Sequence, residues 1–227
     1  MKITFIAQSG FIIETSSSCF SIDLWLDNPL HAIELQYVPK LDYVFVTHDH
    51  FDHGLLDAIK ISQRDKAIFI SSKDIEEEVK KTQNIQTLHQ EDPIDKYNTK
   101  DLTVHYVSAL HSSDTGDALG FIIEFEGHTI YHMGDTAYMK DFKYVGREYD
   151  IDLLMIPIGS YYTMDPQEAA QAVQDIKPRN VIPMHYNTFD KIKQEPKDFA
   201  DLIDKSEVKT KVIIMKPGAS ITLKDHG

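Results

Sequence analysis

Cysteine is almost missing from this chain: Cys19 stands alone in 227 residues. No internal disulfide can form, and the flanking SCFSID stretch gives Cys19 the character of a small buried hydrophobe in a strand rather than a nucleophile. No GxSxG elbow is present either, so the usual base-activated serine nucleophile has no sequence support. Long hydrophobic runs are also lacking, since no window reaches the ~18 consecutive apolar residues of a membrane span. Residues 1–15 interrupt ITFIA and FII with Gln8, Ser9 and Gly10, too broken a pattern for a signal peptide. The expected compartment is the cytoplasm, where a reduced thiol is stable. Basic charge is scarce: 23 Lys and Arg against 36 Asp and Glu leave a formal net charge of −13. Long polyanions such as RNA are therefore expected to be repelled, and Lys80 and Lys81, within EEEVKK, read as a solvated helix face. No Ser/Gly-rich linker or short-period repeat divides the chain, so a single domain over 1–227 is expected.

What is there is a folded α/β chain with 42% hydrophobic and 26% charged residues. KITFIA, FIIET, CFSID, DYVFVTH, AIFIS and LTVHYVSA read as strands rich in β-branched and aromatic residues. DHGLLDAIKISQ and KDIEEEVKKTQ carry helical spacing with charge on the opposite face. The alternation repeats through LGFIIEFEG, HTIYHMGD, IDLLMIPIG, NVIPMHYN and KVIIMKP. DPQEAAQAVQDIKP announces a helix, with Asp165 as N-cap, Pro166 in the first turn and Glu168 completing a capping box.

The chemistry concentrates in THDHFDHG, directly behind the apolar DYVFV. His48, His50, Asp52 and His53 crowd into six positions where the backbone leaves a buried strand and turns, so their side chains can converge. Imidazole and carboxylate suit borderline divalent ions, and so much clustered polarity without a counter-ion would be costly. Gly54 then permits close backbone approach. Further donors recur at the ends of apolar strands: His111 after LTVHYVSAL, Asp135 after HTIYHMG, and His185 after NVIPM. Strand ends at one sheet edge are where functional groups gather in layered α/β folds.

This ordered set, HxHxDH with His111, Asp135 in a GDT context and His185, resembles the metallo-β-lactamase superfamily of binuclear metallohydrolases. ITFIAQSGFII, SIDLWLDNP, YHMGDT, YYTMDPQEAA and IPMHYNTF are similar to small metal-dependent hydrolases related to ascorbate-6-phosphate lactonases. The resemblance implies a four-layer αββα sandwich. It implies two divalent ions, zinc first, with manganese, iron or nickel also accepted. One would be held by His48, His50 and His111, the other by Asp52, His53 and His185, with Asp135 bridging. Asp23 would brace the HxHxDH loop from behind, with Asp27 as a competitor because no proline follows Asp23. Gly159-Ser160 departs from the glycine pair more usual in relatives.

The expected activity is hydrolysis of a small ester, lactone, thioester or amide by a metal-bridging hydroxide, with a compact anionic metabolite as the expected substrate. Asp52 serves there as both ligand and proton or hydrogen-bond acceptor. Two alternatives stand beside it: a phosphodiesterase or nuclease on the same scaffold, and a non-hydrolytic metal-binding or redox protein. Redox relatives replace the second histidine of the motif with glutamate, whereas His50 is kept here. Tyr161, Tyr162, Thr163 and Met164 are expected at the cleft mouth, and Tyr162, Tyr186 and Asn187 are the candidate substrate contacts. His31, His89, His128 and His226 are expected at the surface, with His105 and His132 in structural roles. The sequence leaves the oligomeric state open.

Overall fold

A computed structural model of the chain describes residues 1–88 and 96–223; His89 and His226 lie outside them. One sheet contains β1 (Lys2–Ala7), β2 (Gly10–Glu14), β3 (Cys19–Ile22), β4 (Tyr43–Phe45) and β5 (Ile68–Ile70). The other contains β6 (Lys96–Asn98), β7 (Thr103–Ser108), β8 (Leu119–Phe125), β9 (His128–His132), β10 (Leu153–Pro157), β11 (Asn180–Met184) and β12 (Lys211–Val212). The last strand, β13 (Ser220–Thr222), returns to the first sheet and pairs antiparallel with β1. The sheet orders are β13-β1-β2-β3-β4-β5 and β12-β11-β10-β9-β8-β7-β6.

Period-two alternation explains how these strands stack into layers. In β8, Phe121 and Ile123 face the first sheet's Phe11, Phe20 and Phe45, while Ile122 faces the helices. In β10, Leu153 and Met155 point inward and Leu154 and Ile156 outward. Such strands, buried on both faces, read as continuous apolar runs. Phe45 meets Phe20 and Phe121 at ring-centroid distances of 5.6 and 5.3 Å, which locks the two sheets face to face.

The outer face of the first sheet is covered by α1 (Leu55–Asp65) and α2 (Lys73–Gln83), through Ala58, Ile61, Ile75 and Val79. That of the second is covered by α3 (Phe142–Glu148), α4 (Pro166–Ile176) and α5 (Pro196–Asp204), through Phe142, Ala169, Val173, Phe199 and Ile203. Helices, two sheets and helices make the four-layer sandwich that the sequence predicts. The start of α4 carries the capping box: the Glu168 amide donates to Asp165 Oδ1 at 2.8 Å, and the Asp165 amide donates to Glu168 Oε2 at 3.2 Å. Among the described residues no helix is long and apolar enough to cross a membrane.

Several expectations change. Lys80 and Lys81 are exposed, but Glu76 on the same helix is 1% exposed and accepts the Ser71 amide at 3.0 Å; burial pushes its carboxyl up to about 8. His128 is buried rather than at the surface, with Nδ1 3.6 Å from Asp152 Oδ2. His128 shares the parity of Ile130, which lies in the core between the sheets, so its side chain takes the inward face of β9. His31 is half-buried, packed beneath Gly218. Met164 and Thr163 are buried rather than lining a mouth, because the chain after Ser160 turns Met164 into the α4 core. Cys19 is half-buried, its thiol pushed up to about 12, chiefly by burial.

Candidate metal centre

All seven proposed donors lie where strands end. His48 to His53 follow β4, His111 follows β7, Asp135 follows β9, and His185 follows β11. The loop behind β4 closes with a short 3-10 turn (Phe51–His53), and Gly54 then enters α1 at φ 70°. A Cβ there would stand 2.2 Å from the Leu24 carbonyl oxygen, so only glycine lets this loop pack under the β3 exit. On the far side, a Cβ at Gly159 would come within 2.3 Å of the His185 carbonyl oxygen. Gly159 therefore gives His185, itself at φ 56°, the room to turn inward.

Three overlapping sets result, each with ligand atoms within 4.8 Å of one another: His48, His50 and His111; His48, His53 and Asp135; and Asp52, His53 and His185. Asp135 sits between the groups, its Oδ2 2.9 Å from His185 Nε2, 3.4 Å from His53 Nε2 and 3.6 Å from His111 Nε2. His48 Nε2 and His50 Nδ1 approach to 2.9 Å, and His50 Nδ1 lies 3.3 Å from His111 Nε2.

The donor set fits a divalent cation on two grounds. Asp135 Oδ1 and His53 Nε2 are buried with no hydrogen-bond partner, a costly condition for groups so polar unless a ligand meets them. The electrostatics also call for positive charge. Burial disfavours charge on His53, yet Asp135 and Asp23 hold its pKa well above the ordinary value. His185 behaves alike, raised to about 9 against burial by Asp135 and Asp52. Asp135 and Asp52 are depressed in return despite burial, Asp135 by His185 and His53, Asp52 chiefly by His185, 3.6 Å away. On the other side burial and the His53 charge push His48 down to about 2, and burial lowers His111. Those two imidazoles are neutral, the state a metal ligand needs.

Asp23, not the exposed Asp27, stands behind the loop. Its Oδ1 accepts the Thr47 amide at 2.8 Å, and its Oδ2 accepts the Thr47 hydroxyl at 2.7 Å and lies 2.7 Å from His53 Nδ1. Thr47 Oγ1 also lies 3.0 Å from His48 Nδ1, so one carboxylate orients two imidazoles.

Sequence reasoning missed Gln8. Its Nε2 donates to Asp52 Oδ2 at 2.7 Å, and its carbonyl accepts the His185 amide at 2.8 Å. The polar break in ITFIAQSGFII was the visible signal; the positive φ of 55° that aims the side chain inward was not. The substrate candidates divide. Tyr162 lines a cavity of about 580 Å3 above the donors. Tyr186 packs instead into the core under α4 and α5, and exposed Asn187 accepts the Gln194 amide at 2.9 Å, shaping its own loop. Phe51, Ser112, Phe189 and Lys191 line the cavity without having been singled out.

A beta-lactamase superfamily domain matches residues 12–186. A UPF0173 metal-dependent hydrolase from Pyrobaculum islandicum is 40% identical over 231 residues, covering 98% of this chain and 100% of the relative. The chain belongs to the beta-lactamase superfamily, among its UPF0173 metal-dependent hydrolases. It is similar in structure to a metallo hydrolase from the hyperthermophilic archaeon Ignicoccus hospitalis, with 32% identity, a TM-score of 0.92 and 99% coverage of both chains. An isothiocyanate hydrolase from Delia radicum gut bacteria shares the fold at 17% identity, with a TM-score of 0.79 over 98% of this chain.

Proposed function

We propose that this UPF0173 hydrolase holds two divalent ions, zinc by the chemistry of its donors, and cleaves a small ester, lactone, thioester or amide. The observation that carries the reading is the convergence of His48, His50, His111, Asp52, His53, His185 and the intervening Asp135: His50, Asp52, His111, Asp135 and His185 line one cavity, and His48 and His53 are fully buried. In this assignment His48, His50 and His111 take one ion, Asp52, His53 and His185 the other, and Asp135 bridges. Such ions would supply Lewis acidity toward a carbonyl oxygen and bring the pKa of bound water toward ~7.

The chain's own groups do the rest. Asp52 has one oxygen engaged by Gln8, and its depressed pKa makes it an acceptor that orients the attacking water rather than a strong base. Asp23 fixes His53 with Nδ1 protonated, leaving Nε2 as the donor atom. Phe51, Phe189 and Tyr162 wall the cavity with aromatic surface, which excludes water around a bound acyl group. The acidic balance and the single lysine on the cavity lining favour a compact metabolite over a nucleic acid, which needs a basic track.

The test is elemental analysis of protein purified without chelator, followed by assays on lactones, esters and thioesters beside RNA and single-stranded DNA across salt concentrations. Two ions per chain and chelator-sensitive turnover of a small ester or lactone are expected. Metal-dependent cleavage of nucleic acid alone, weakening steeply with salt, would replace this reading with the nuclease one.

A further inference from the structure

The mouth of the cavity carries an asymmetry that the donor set does not explain. One wall is aromatic: Phe51 and Phe189 line it, and Trp25 backs them, its ring 5.6 Å from Phe51 edge-on and 6.2 Å from Phe189 stacked. Phe51 is 72% exposed although it sits beside two metal-site residues, so its apolar surface gains only when a ligand covers it. The same cavity is lined by a cation. Lys191 Nζ lies 4.4 Å from the Tyr161 ring centroid and 6.0 Å from that of Tyr162, and 3.5 Å from the Tyr161 hydroxyl. The two tyrosines, themselves edge-to-face at 4.6 Å, hold the ammonium over their faces. Its neighbour Asp190 is engaged elsewhere, by Lys193 at 2.7 Å. Among the described residues no carboxylate pairs with Lys191, in a chain whose net charge is −13 and where lone lysines have many acids to choose from.

We propose that Lys191 and the Phe51–Phe189 wall select the substrate: an ester, lactone or amide whose apolar part lies on the two phenylalanines and whose anionic oxygen group meets the Lys191 ammonium. The inference rests on the hydrolase reading for the scissile bond but not for the recognition step. A neutral substrate gains only the aromatic contacts. A long polyanion gains one cation and meets an otherwise acidic surface. A short amphiphilic monoanion gains both, and Tyr161 and Tyr162 keep the cation oriented before it arrives, which reduces the ordering cost of binding.

The chain's single tryptophan, Trp25, makes the mouth directly observable. Trp25 fluorescence is titrated with 4-phenylbutyrate and with its neutral counterpart 4-phenylbutan-1-ol, using wild type, Lys191→Met, Lys191→Arg and Phe189→Ala, each zinc-loaded and chelated. Wild type should prefer the carboxylate by about fivefold, the scale of one partly exposed ion pair, with the preference shrinking as salt rises. Lys191→Met should abolish the preference, Lys191→Arg should restore it, and Phe189→Ala should weaken both probes alike. An undiminished preference in Lys191→Met would show that the carboxylate goes to the metal floor and would overturn the assignment, as would absence of any preference in wild type. Lys191-dependent preference in the chelated protein, together with failure to bind zinc, would sink the hydrolase reading while leaving the recognition site standing.

Discussion

Replacing Asp23 by Asn tests how the centre is wired, because it changes one atom and disturbs the two hydrogen bonds that Oδ2 accepts, from the Thr47 hydroxyl and from His53 Nδ1. Asn Oδ1 can still accept the Thr47 amide, now 2.8 Å from Asp23 Oδ1, so Nδ2 takes the place of Oδ2. That nitrogen faces His53 Nδ1, 2.7 Å from Oδ2 at present, and donor would meet donor. The imidazole relieves the conflict by moving its proton to Nε2, the atom that points at Asp135. A protonated Nε2 cannot ligate, so the site shared by His53, Asp52 and His185 should weaken most, and that of His48, His50 and His111 less, since Asp23 reaches His48 only through the Thr47 hydroxyl. Loss of such an orienting partner typically costs 10–100-fold in metal affinity, about 1.4–2.8 kcal/mol. Competition titration with a fluorescent chelator, resolving two affinities, is the assay: one class should shift by the larger factor and the other, reached only through Thr47, by less. Two unchanged affinities, with the fold intact by circular dichroism, would refute the tautomer argument.

Three further outcomes are expected. Glu76 is more acidic when unfolded than folded, so the folded state binds more protons between about pH 4.5 and 8 and stability falls as pH rises through that window; Glu76→Gln should flatten the curve and gain about 3 kcal/mol at pH 7 in urea unfolding, and parallel curves for the two proteins would contradict it. Gly54→Ala forces a Cβ against the Leu24 carbonyl at φ 70° and should cost about 3 kcal/mol in denaturant unfolding; a loss below about 1 kcal/mol would mean the loop relaxes freely. Asp135→Asn removes the carboxylate facing His185, His53 and His111, so turnover should drop by about 100-fold or more while far-ultraviolet circular dichroism is unchanged, and unaltered turnover would remove Asp135 from the centre.

The layers were legible because strands buried on both faces leave uninterrupted apolar runs, and α4 announced itself through its cap. The donors were legible because their residue types recur at strand ends, a pattern independent of loop detail. What could not be read depends on where a side chain points once the strand has ended. Asn187, at φ 64°, turns away from the cavity, while Gln8, at φ 55°, turns into the centre. Asparagine favours the left-handed region and glutamine does not, yet neither residue type says which way the side chain then points. Glu76 looked like part of a charged helix face because periodicity gives the angle around the axis but not how far a neighbouring strand end, Ser71, reaches over it. The pairing of β1 with β13 joins segments too far apart for any local pattern to connect.

The donors belong to both sheets, and this orders events during synthesis. A nascent chain that has delivered β1 to β5 already displays His48, His50, Asp52 and His53, yet only its first sheet can form. His111 and Asp135 arrive with β7 and β9, and His185 only after β11 has emerged between its neighbours β10 and β12. An ion meeting the early chain finds four donors on a loop with no opposing wall, whereas the finished sandwich presents the whole set. The donor set is therefore assembled in steps and is complete only once β11 has been delivered, so the finished fold rather than the growing chain presents the whole centre.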